Sequence, residues 1–248
     1  MTAAAPLALI HCSLAHGGVW RGFLAAAGTD AVSIELPGHG QAPDWDGVED
    51  FQTVAVRQAM AALPDGPVRL IGHSFGGTVA LRIALETPER VAELVLIEPP
   101  FFAAAMRDAW DVFLAYAGVN APFAKAMAAG DREGAAAAFM GQWGGPVPWN
   151  RMAERQRTYM RDRIHLIAAA EPAIIDDNRG VMAEGRLAGL TMPVTLVEGS
   201  EAPPIVGAIL DALEARIPDV RRVVIDGAGH MVPVTHGAEL AAALGMPG

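Results

Sequence analysis

The sequence predicts an α/β fold built on a mostly parallel β-sheet. Short β-rich apolar runs alternate with helical stretches, which is typical of βαβ units. Several of these runs are continuously apolar, as in strands that are buried on both faces of a sheet. The length of 248 residues is enough for one core domain with an insertion, and 52% apolar with 19% charged residues is a globular composition.

Apolar runs in six places are predicted to form the strands of this sheet. Glycine, proline or a helical stretch follows each run, and these features end a strand. A sheet of about six strands is therefore expected. The predicted strands cover residues 7–11, 31–36, 68–73, 91–98, 193–199 and 220–227.

Helical stretches separate most of the predicted strands. Their apolar residues recur at the three- and four-residue spacing of a helix with one buried face. Asp50 stands where the first of these helices needs an N-cap. The predicted core helices cover residues 50–63, 75–87, 204–217 and 236–245.

The alternation of strands and helices stops between residues 101 and 189. Here the chain has Ala- and Met-rich helical stretches that are broken by turns containing glycine and proline. We therefore expect a core domain of residues 1–100 and 190–248, with a helical cap of residues 101–189 inserted after the fourth strand. Such an insertion would lie above the carboxyl ends of the strands, where parallel sheets bind ligands.

A Gly-His-Ser-Phe-Gly segment at residues 72–76 joins a predicted strand directly to a predicted helix. It fits the G-x-S-x-G nucleophile elbow, a tight turn that raises a serine hydroxyl above the sheet. Gly72 and Gly76 fit because the strand and the helix approach each other closely at this turn. Ser74 is therefore the predicted nucleophile.

A glycine-rich loop that contains His230 follows the last predicted strand. A hydroxyl group is a weak nucleophile until a base removes its proton, and histidine has a suitable pKa for that role. A serine at an elbow followed much later by a histidine is also the chain order of hydrolases of this design. His230 is therefore the predicted base.

These motifs, with the loop that begins at His11 and the turn at residues 37–40, resemble the α/β-hydrolase superfamily in its small, cofactor-free, esterase-like branch. The resemblance covers nearly the whole chain outside the insertion. It implies an α/β-hydrolase fold with a helical cap, and it implies that the backbone N–H groups of Phe75 and Ser13 form the oxyanion hole. It also implies no cofactor, and the sequence offers no metal-ligand spacing.

The sequence departs from the family pattern in its first strands and its first loop. By this resemblance the leading hairpin of the eight-strand form is not expected in this chain, and six strands are expected. The usual His-Gly pair of the first loop is His11-Cys12 in this chain. We expect Cys12 to be buried as a small hydrophobic residue, the alternative being a reactive thiol.

The acid that should orient the histidine is absent from its usual position. Relatives often carry an aspartate three residues after Gly199, where this chain has Ala202. Glu201 lies next to that position and is one methylene group longer than aspartate. The other candidate is Glu98, which ends the strand expected beside the one that bears Ser74. We favour Glu98 because a carboxylate that closes a wholly apolar strand requires a partner.

Candidate substrate-binding residues come from the first loop and from the predicted cap. They are His16, Trp110 and Trp143. Most of the other aromatic residues and methionines of the cap are expected to form the core of the cap itself. Three further histidines are expected to be structural: His39, His73 and His236.

The resemblance implies a serine hydrolase that cleaves a carboxylic ester or thioester of a small to medium apolar substrate through an acyl-enzyme. Two alternatives stay open. One is carbon–carbon bond hydrolysis or lyase chemistry on the same triad. The other is a non-catalytic, ligand-binding protein on a hydrolase scaffold.

Charge and composition argue against several other classes of function. A net charge of −10 leaves no basic surface for nucleic acid or an anionic membrane. The arginine-rich stretch 151–163 also contains acidic residues and is predicted to be a solvated helix face. No apolar run is long enough to span a bilayer, and no signal peptide is expected. The single cysteine, Cys12, allows no internal disulfide, so a cytoplasmic location is expected.

Overall fold

Strands from the whole length of the chain form one sheet in the computed structural model, which describes residues 5–246. The strands are β1 (Leu7–Ile10), β2 (Val32–Ile34), β3 (Val68–His73), β4 (Val91–Ile97), β5 (Val194–Gly199) and β6 (Val220–Ile225). Their order in the sheet is β2-β1-β3-β4-β5-β6, and every neighbouring pair is parallel. The predicted parallel sheet of six strands is therefore confirmed.

The second strand has three residues where six were predicted, whereas each of the other strands is at most two residues shorter than predicted. It stops at Ile34 because the next backbone groups bond to side chains outside the sheet. The Leu36 N–H donates to Nε2 of His11 at 3.1 Å, and the Glu35 carbonyl accepts from the Gln58 amide at 2.7 Å. The chain therefore leaves the sheet two residues early.

Helices connect the strands and cover both faces of the sheet. They are α1 (Arg21–Ala27), α2 (Phe51–Ala62), α3 (Phe75–Glu86), α4 (Phe102–Asp108), α5 (Trp110–Ala128), α6 (Arg132–Trp143), α7 (Glu154–Arg163), α8 (His165–Ala169), α9 (Glu171–Ile174), α10 (Pro204–Glu214), α11 (Val232–Thr235) and α12 (Gly237–Ala243). Helix α1 was not predicted, since seven residues are too few to show a helical period. The last predicted helix, residues 236–245, is α12, and the short helix α11 that precedes His236 was not predicted.

The two faces of the sheet carry separate hydrophobic cores, because alternate residues of each strand point to opposite sides. Ala8 and Ile10 belong to the core that packs under α2, α3 and α10. Leu7 and Leu9 belong to the other core, beneath α1 and α12, which also contains Trp20. Burial on both faces explains why the strands are continuously apolar in sequence.

The segment between β4 and β5 is helical, with α4 to α9 and no strand in its described residues. Phe123 of α5 and Ile164, which follows α7, lie in a third hydrophobic cluster that also includes Leu14 from the loop after β1. This segment, residues 101–189, is called the cap segment below. It thus packs on the core domain next to the end of β1.

Charged groups also join the end of the cap segment to the core. The Asp50 carboxylate caps α2 by accepting from the Thr53 N–H at 2.8 Å, and it accepts from Asn178 at 3.0 Å and from Arg179 at 3.2 Å. Nη1 of Arg82, in α3, lies 3.7 Å from Oδ1 of Asp50. Burial acts to raise the pKa of Asp50, but the hydrogen bonds from Thr53, Asn178 and Arg179 outweigh it and lower the pKa to about 2.

Replacement of Asp50 by asparagine should therefore destabilise the protein in a pH-dependent way. A carboxyl group whose pKa is lower in the folded state stabilises the fold above its unfolded pKa, and this contribution is lost as the pH falls through the folded pKa. We expect the melting temperature of Asp50→Asn to lie below that of the wild type at pH 5. The gap should shrink as the pH falls from about 4 towards 2.

Thermal unfolding of both proteins across this pH range tests the prediction, with the exposed Asp65→Asn as control. Buried histidines such as His39 also titrate in acid, but they do so in both proteins and cancel in the difference. A gap that stays constant with pH would contradict the role of the Asp50 charge.

Candidate active site

A strained turn between β3 and α3 presents Ser74. Its backbone dihedral angles are φ 53° and ψ −127°, which a residue with a side chain rarely adopts. The turn is possible only because neighbouring positions lack side chains. A Cβ atom at Gly72 would lie 2.6 Å from the Gly77 Cα, and one at Gly76 would lie 2.8 Å from the Ile10 carbonyl carbon. The elbow geometry therefore explains both glycines.

Ser74, His230 and Glu98 form a continuous chain of hydrogen bonds. The Ser74 hydroxyl is 3.0 Å from Nε2 of His230, and Nδ1 of His230 is 2.7 Å from Oε2 of Glu98. A carboxylate can only accept, so Nδ1 carries the proton and Nε2 of the neutral ring accepts from the serine hydroxyl. All three residues are buried. This arrangement is that of a nucleophile, a base and an orienting acid.

Glu98 lies one residue beyond β4 and is fully buried. Its other carboxylate oxygen accepts from the backbone N–H of Gly199 at 2.7 Å, so both oxygens have partners. The alternative acid, Glu201, has an exposed side chain that makes no hydrogen bond or ion pair within residues 5–246. Only its backbone is fixed, through donation to the Ala228 carbonyl at 2.8 Å. The structure thus brings Glu98 to His230 and leaves Glu201 outside.

His73 supports the loop that carries His230. Its Nε2–H donates to the His230 carbonyl at 2.9 Å, and the two rings lie 5.1 Å apart. Burial, together with the nearby His230, holds the pKa of His73 well below its usual value, so this ring is neutral. His73 therefore packs under the ring of His230, and its bond to the loop could not be read from the sequence.

Two backbone N–H groups are available beside Ser74. Phe75 begins α3, where an N–H has no partner within the helix, and Ser13 follows β1. Neither N–H donates to another group in the described part of the chain, and both residues line the cavity above Ser74. Unpaired donors at a helix N-terminus favour negative charge. The two predicted oxyanion-hole residues therefore meet at one place.

The cavity above Ser74 is walled mainly by the cap segment. Its empty volume is about 580 Å³ when its open mouth is included. Aromatic and aliphatic side chains dominate the lining, and Asn120, Glu171 and the Tyr116 hydroxyl add polar groups. Burial raises the pKa of Tyr116, and burial with the nearby Asp176 raises the pKa of Glu171.

The predicted substrate-binding residues do not all reach this cavity. Trp143 lines it, with its ring 4.8 Å from that of His230. Trp110 is 53% exposed and stacks on Phe113 instead. His16 is exposed and accepts from the Gly18 N–H, which caps a short 3-10 helix. We therefore keep Trp143 as a candidate and withdraw Trp110 and His16.

Other cavity residues escaped the sequence analysis. The predicted cap had many aromatic residues, and no local signal distinguished those that face the cavity. The cavity residues that were not predicted include Phe102, Tyr116, Asn120, Phe123, Phe139 and Glu171.

Two histidines that were predicted to be structural, His39 and His236, and the cysteine lie away from the Ser74 cavity lining. Nδ1–H of His39 donates to the Pro37 carbonyl at 2.9 Å, and Nε2 accepts from the Leu14 N–H at 3.0 Å. Burial lowers the pKa of His39 to about 3, so it is neutral. His236 pairs with the neighbouring Thr235 hydroxyl at 2.8 Å. Cys12 is buried, and burial raises the pKa of its thiol to about 12.

The described residues contain no cluster of three or more His, Cys, Asp or Glu side chains that could hold a metal ion. Within residues 5–246, no helix has both the length and the apolar character needed to cross a membrane.

Comparison with known proteins identifies the family. Residues 7–243 match the model of the alpha/beta hydrolase family, and the chain belongs to this family. It is 30% identical to the pimeloyl-[acyl-carrier protein] methyl ester esterase of Aeromonas hydrophila, over 93% of this chain and 90% of the relative. It is 29% identical to the lipase LipV of Mycobacterium tuberculosis, over 95% of this chain and 90% of that relative.

Solved structures agree with the fold. A hydrolase from Pseudomonas aeruginosa PA01 superposes with a TM-score of 0.73 at 22% identity, covering 98% of this chain and 89% of that one. At this level of identity the likeness supports the architecture alone.

The Glu98→Gln variant should lose most of the reactivity of Ser74. The glutamine amide would donate to Nδ1 of His230, which stabilises the ring form whose Nε2 carries a proton and cannot accept from the serine. We expect the rate of labelling of Ser74 by a fluorophosphonate to fall at least about 100-fold. Glu201→Gln is the matched control and should label at the wild-type rate. The reverse pattern would show that Glu201 is the acid.

Cys12 should resist alkylation in the folded protein. A thiol with a pKa of about 12 carries almost no thiolate at pH 8, and its side chain is buried. We expect iodoacetamide to leave Cys12 unmodified in the native state and to modify it fully in urea, as measured by mass spectrometry. Fast modification of the native protein would mean that the loop after β1 opens to solvent.

Proposed function

We propose that the protein is a serine hydrolase that cleaves a carboxylic ester or thioester through an acyl-enzyme formed on Ser74. The observation that carries this proposal is the hydrogen-bonded chain from Ser74 through His230 to the buried Glu98, with distances of 3.0 and 2.7 Å. The serine end of this chain opens on the cavity under the cap segment.

In the acylation step, the Ser74 oxygen attacks the substrate carbonyl carbon while Nε2 of His230 takes the hydroxyl proton. Negative charge develops on the carbonyl oxygen, and the N–H groups of Phe75 and Ser13 are the donors proposed to hold it. The tetrahedral intermediate collapses, and His230 gives its proton to the departing alcohol or thiol. Ser74 then carries the acyl group.

In the deacylation step, a water molecule gives a proton to Nε2 of His230 and its oxygen attacks the acyl carbon. A second tetrahedral intermediate collapses, the proton returns to the Ser74 oxygen and the carboxylic acid leaves. Throughout both steps the Glu98 carboxylate keeps the proton of His230 on Nδ1 and stabilises the cationic ring. Its burial strengthens this interaction, because water does not screen it.

The relatives support the ester-hydrolysing class, since their names are those of esterases and a lipase. The aromatic lining favours a small to medium apolar group, and Trp143 borders both the cavity and His230. We propose that this apolar group lies against the aromatic wall that Trp143 and Phe102 form together, their ring centres being 6.2 Å apart. An aromatic wall gains from close contact with an apolar group while the ester lies over Ser74.

The alternatives raised by the sequence have less support. Carbon–carbon bond hydrolysis would use the same three residues, and no observation favours it over ester cleavage. A binding protein without catalysis would not require a complete hydrogen-bond chain from Ser74 to a buried carboxylate. The cytoplasmic location and the lack of a nucleic-acid or membrane partner stay predictions.

Hydrolysis of p-nitrophenyl esters of increasing acyl length tests the proposal. We expect turnover by the wild type, with a preference for the acyl length that fills the cavity. Ser74→Ala should lose at least about 1,000-fold in kcat, because no other nucleophile replaces the serine. Ser33→Ala, at an exposed position of β2, is the matched control and should retain full activity.

Fluorophosphonate labelling provides a second readout for substrates that the ester series misses. A wild-type protein that neither hydrolyses any of the esters nor reacts with the fluorophosphonate would contradict the proposal.

A further inference from the structure

The loop after β1 that carries Ser13 has a strained conformation. Leu14 has φ 58°, in the left-handed region that a leucine rarely occupies. A residue remains in that region only where its surroundings determine the conformation. The contacts of this loop should therefore show what fixes the direction of the Ser13 N–H.

Two of these contacts come from the core domain. Nδ1–H of His11 donates to the Cys12 carbonyl at 2.7 Å, and this carbonyl shares a peptide plane with the Ser13 N–H. In a trans peptide the N–H and the C=O point in opposite directions, so the Ser13 N–H points away from His11. The next N–H, that of Leu14, donates to Nε2 of His39 at 3.0 Å.

The third contact comes from the cap segment. The Tyr159 hydroxyl of α7 donates to the Ala15 carbonyl at 2.7 Å and accepts from the Gly40 N–H at 3.0 Å. It thereby joins the loop after β1 to the turn at residues 37–40. No other side chain in the described residues bonds to the Ala15 carbonyl.

The position of Tyr159 is itself fixed. The Arg163 guanidinium lies 3.8 Å from the centre of the Tyr159 ring, and its Nε donates to the Gly38 carbonyl at 2.6 Å. Partial burial is the main reason why the pKa of Tyr159 is raised, so its hydroxyl keeps its proton and can donate at neutral pH. The tyrosine is therefore a stable anchor for the loop.

The side chain of Leu14 adds an apolar contact to the same connection. It is only 2% exposed and lies in one cluster with Phe123 and Ile164 of the cap segment. The strained residue is thus held through its N–H by the core domain and through its side chain by the cap segment.

We propose that Tyr159 is a positioning residue for the oxyanion hole. By holding the Ala15 carbonyl, its hydroxyl keeps Leu14 in the left-handed conformation and the Ser13 N–H directed at the cavity. The cap segment would then act in the chemical step as well as in shaping the substrate pocket. This inference rests on the proposed function, because it assigns a role in stabilising the oxyanion.

The Tyr159→Phe variant removes the hydroxyl and keeps the ring that contacts Arg163. An oxyanion hole binds the transition state more tightly than the ground state, so its distortion lowers kcat and leaves KM unchanged. We expect kcat for a p-nitrophenyl ester to fall about tenfold, with KM within about twofold of the wild-type value.

Two further readouts separate positioning from a structural role. An arylboronic acid forms a tetrahedral adduct with the active serine, so its affinity should fall by about the same factor as kcat. Amide hydrogen exchange over residues 12–15 should become faster in Tyr159→Phe. Thr158→Val removes a neighbouring hydroxyl whose hydrogen bond within residues 5–246 goes to Glu154. It is the matched control and should change neither the boronic acid affinity nor the exchange rate.

A Tyr159→Phe protein with wild-type kcat and boronic acid affinity would overturn the proposal, even if its melting temperature is lower. Loss of the proposed function is a separate result, in which the wild type itself shows no turnover and no labelling of Ser74. In that case amide hydrogen exchange still tests whether Tyr159 holds the loop after β1. Unchanged exchange at residues 12–15 in Tyr159→Phe would overturn the role of Tyr159.

Discussion

The burial of one carboxylate, that of Glu98, is the constraint on which the site depends. A buried carboxylate without hydrogen bonds would cost several kcal/mol, so the structure must supply partners for both oxygens. One oxygen accepts from the Gly199 N–H at the end of β5, and the other from Nδ1 of His230 in the loop after β6. The same interaction therefore fixes the ends of three adjacent strands and sets the ring of His230 over Ser74.

Backbone strain is concentrated around this constraint. Within residues 5–246, the residues other than glycine with positive φ are Leu14, Ser74, Glu98 and Asp177. The first three lie just past β1, β3 and β4, at the carboxyl edge of the sheet. Strain of this kind costs of order 1–3 kcal/mol per residue and persists only when the surroundings determine it. Here the rigid, buried strands hold three reactive or supporting groups at one edge.

The sequence was informative wherever a local rule decides the structure. Continuous burial produces apolar strands, and the close approach at Ser74 requires glycine, so the sheet and the elbow were predicted. Glu98 was favoured because an unpartnered carboxylate at an apolar strand end is improbable on energetic grounds. The cap segment has no such rule. Helix α5 is apolar on nearly every face, so its sequence could not show that Trp110 points outward while Tyr116 lines the cavity.

The contacts that the sequence could not reveal are those that join the cap segment to the core. Tyr159 lies 144 positions from Ala15, and Asn178 lies 128 positions from Asp50, so no periodicity connects them. These contacts restrict which parts of the cap segment can change without affecting the core. A segment that only enclosed the substrate could change freely, but the cap segment also bonds, through Tyr159, to the loop that bears Ser13. On the role proposed for Tyr159, its substitution would alter the rate of the chemical step, whereas substitution of Tyr116 in α5 would alter the fit of the substrate.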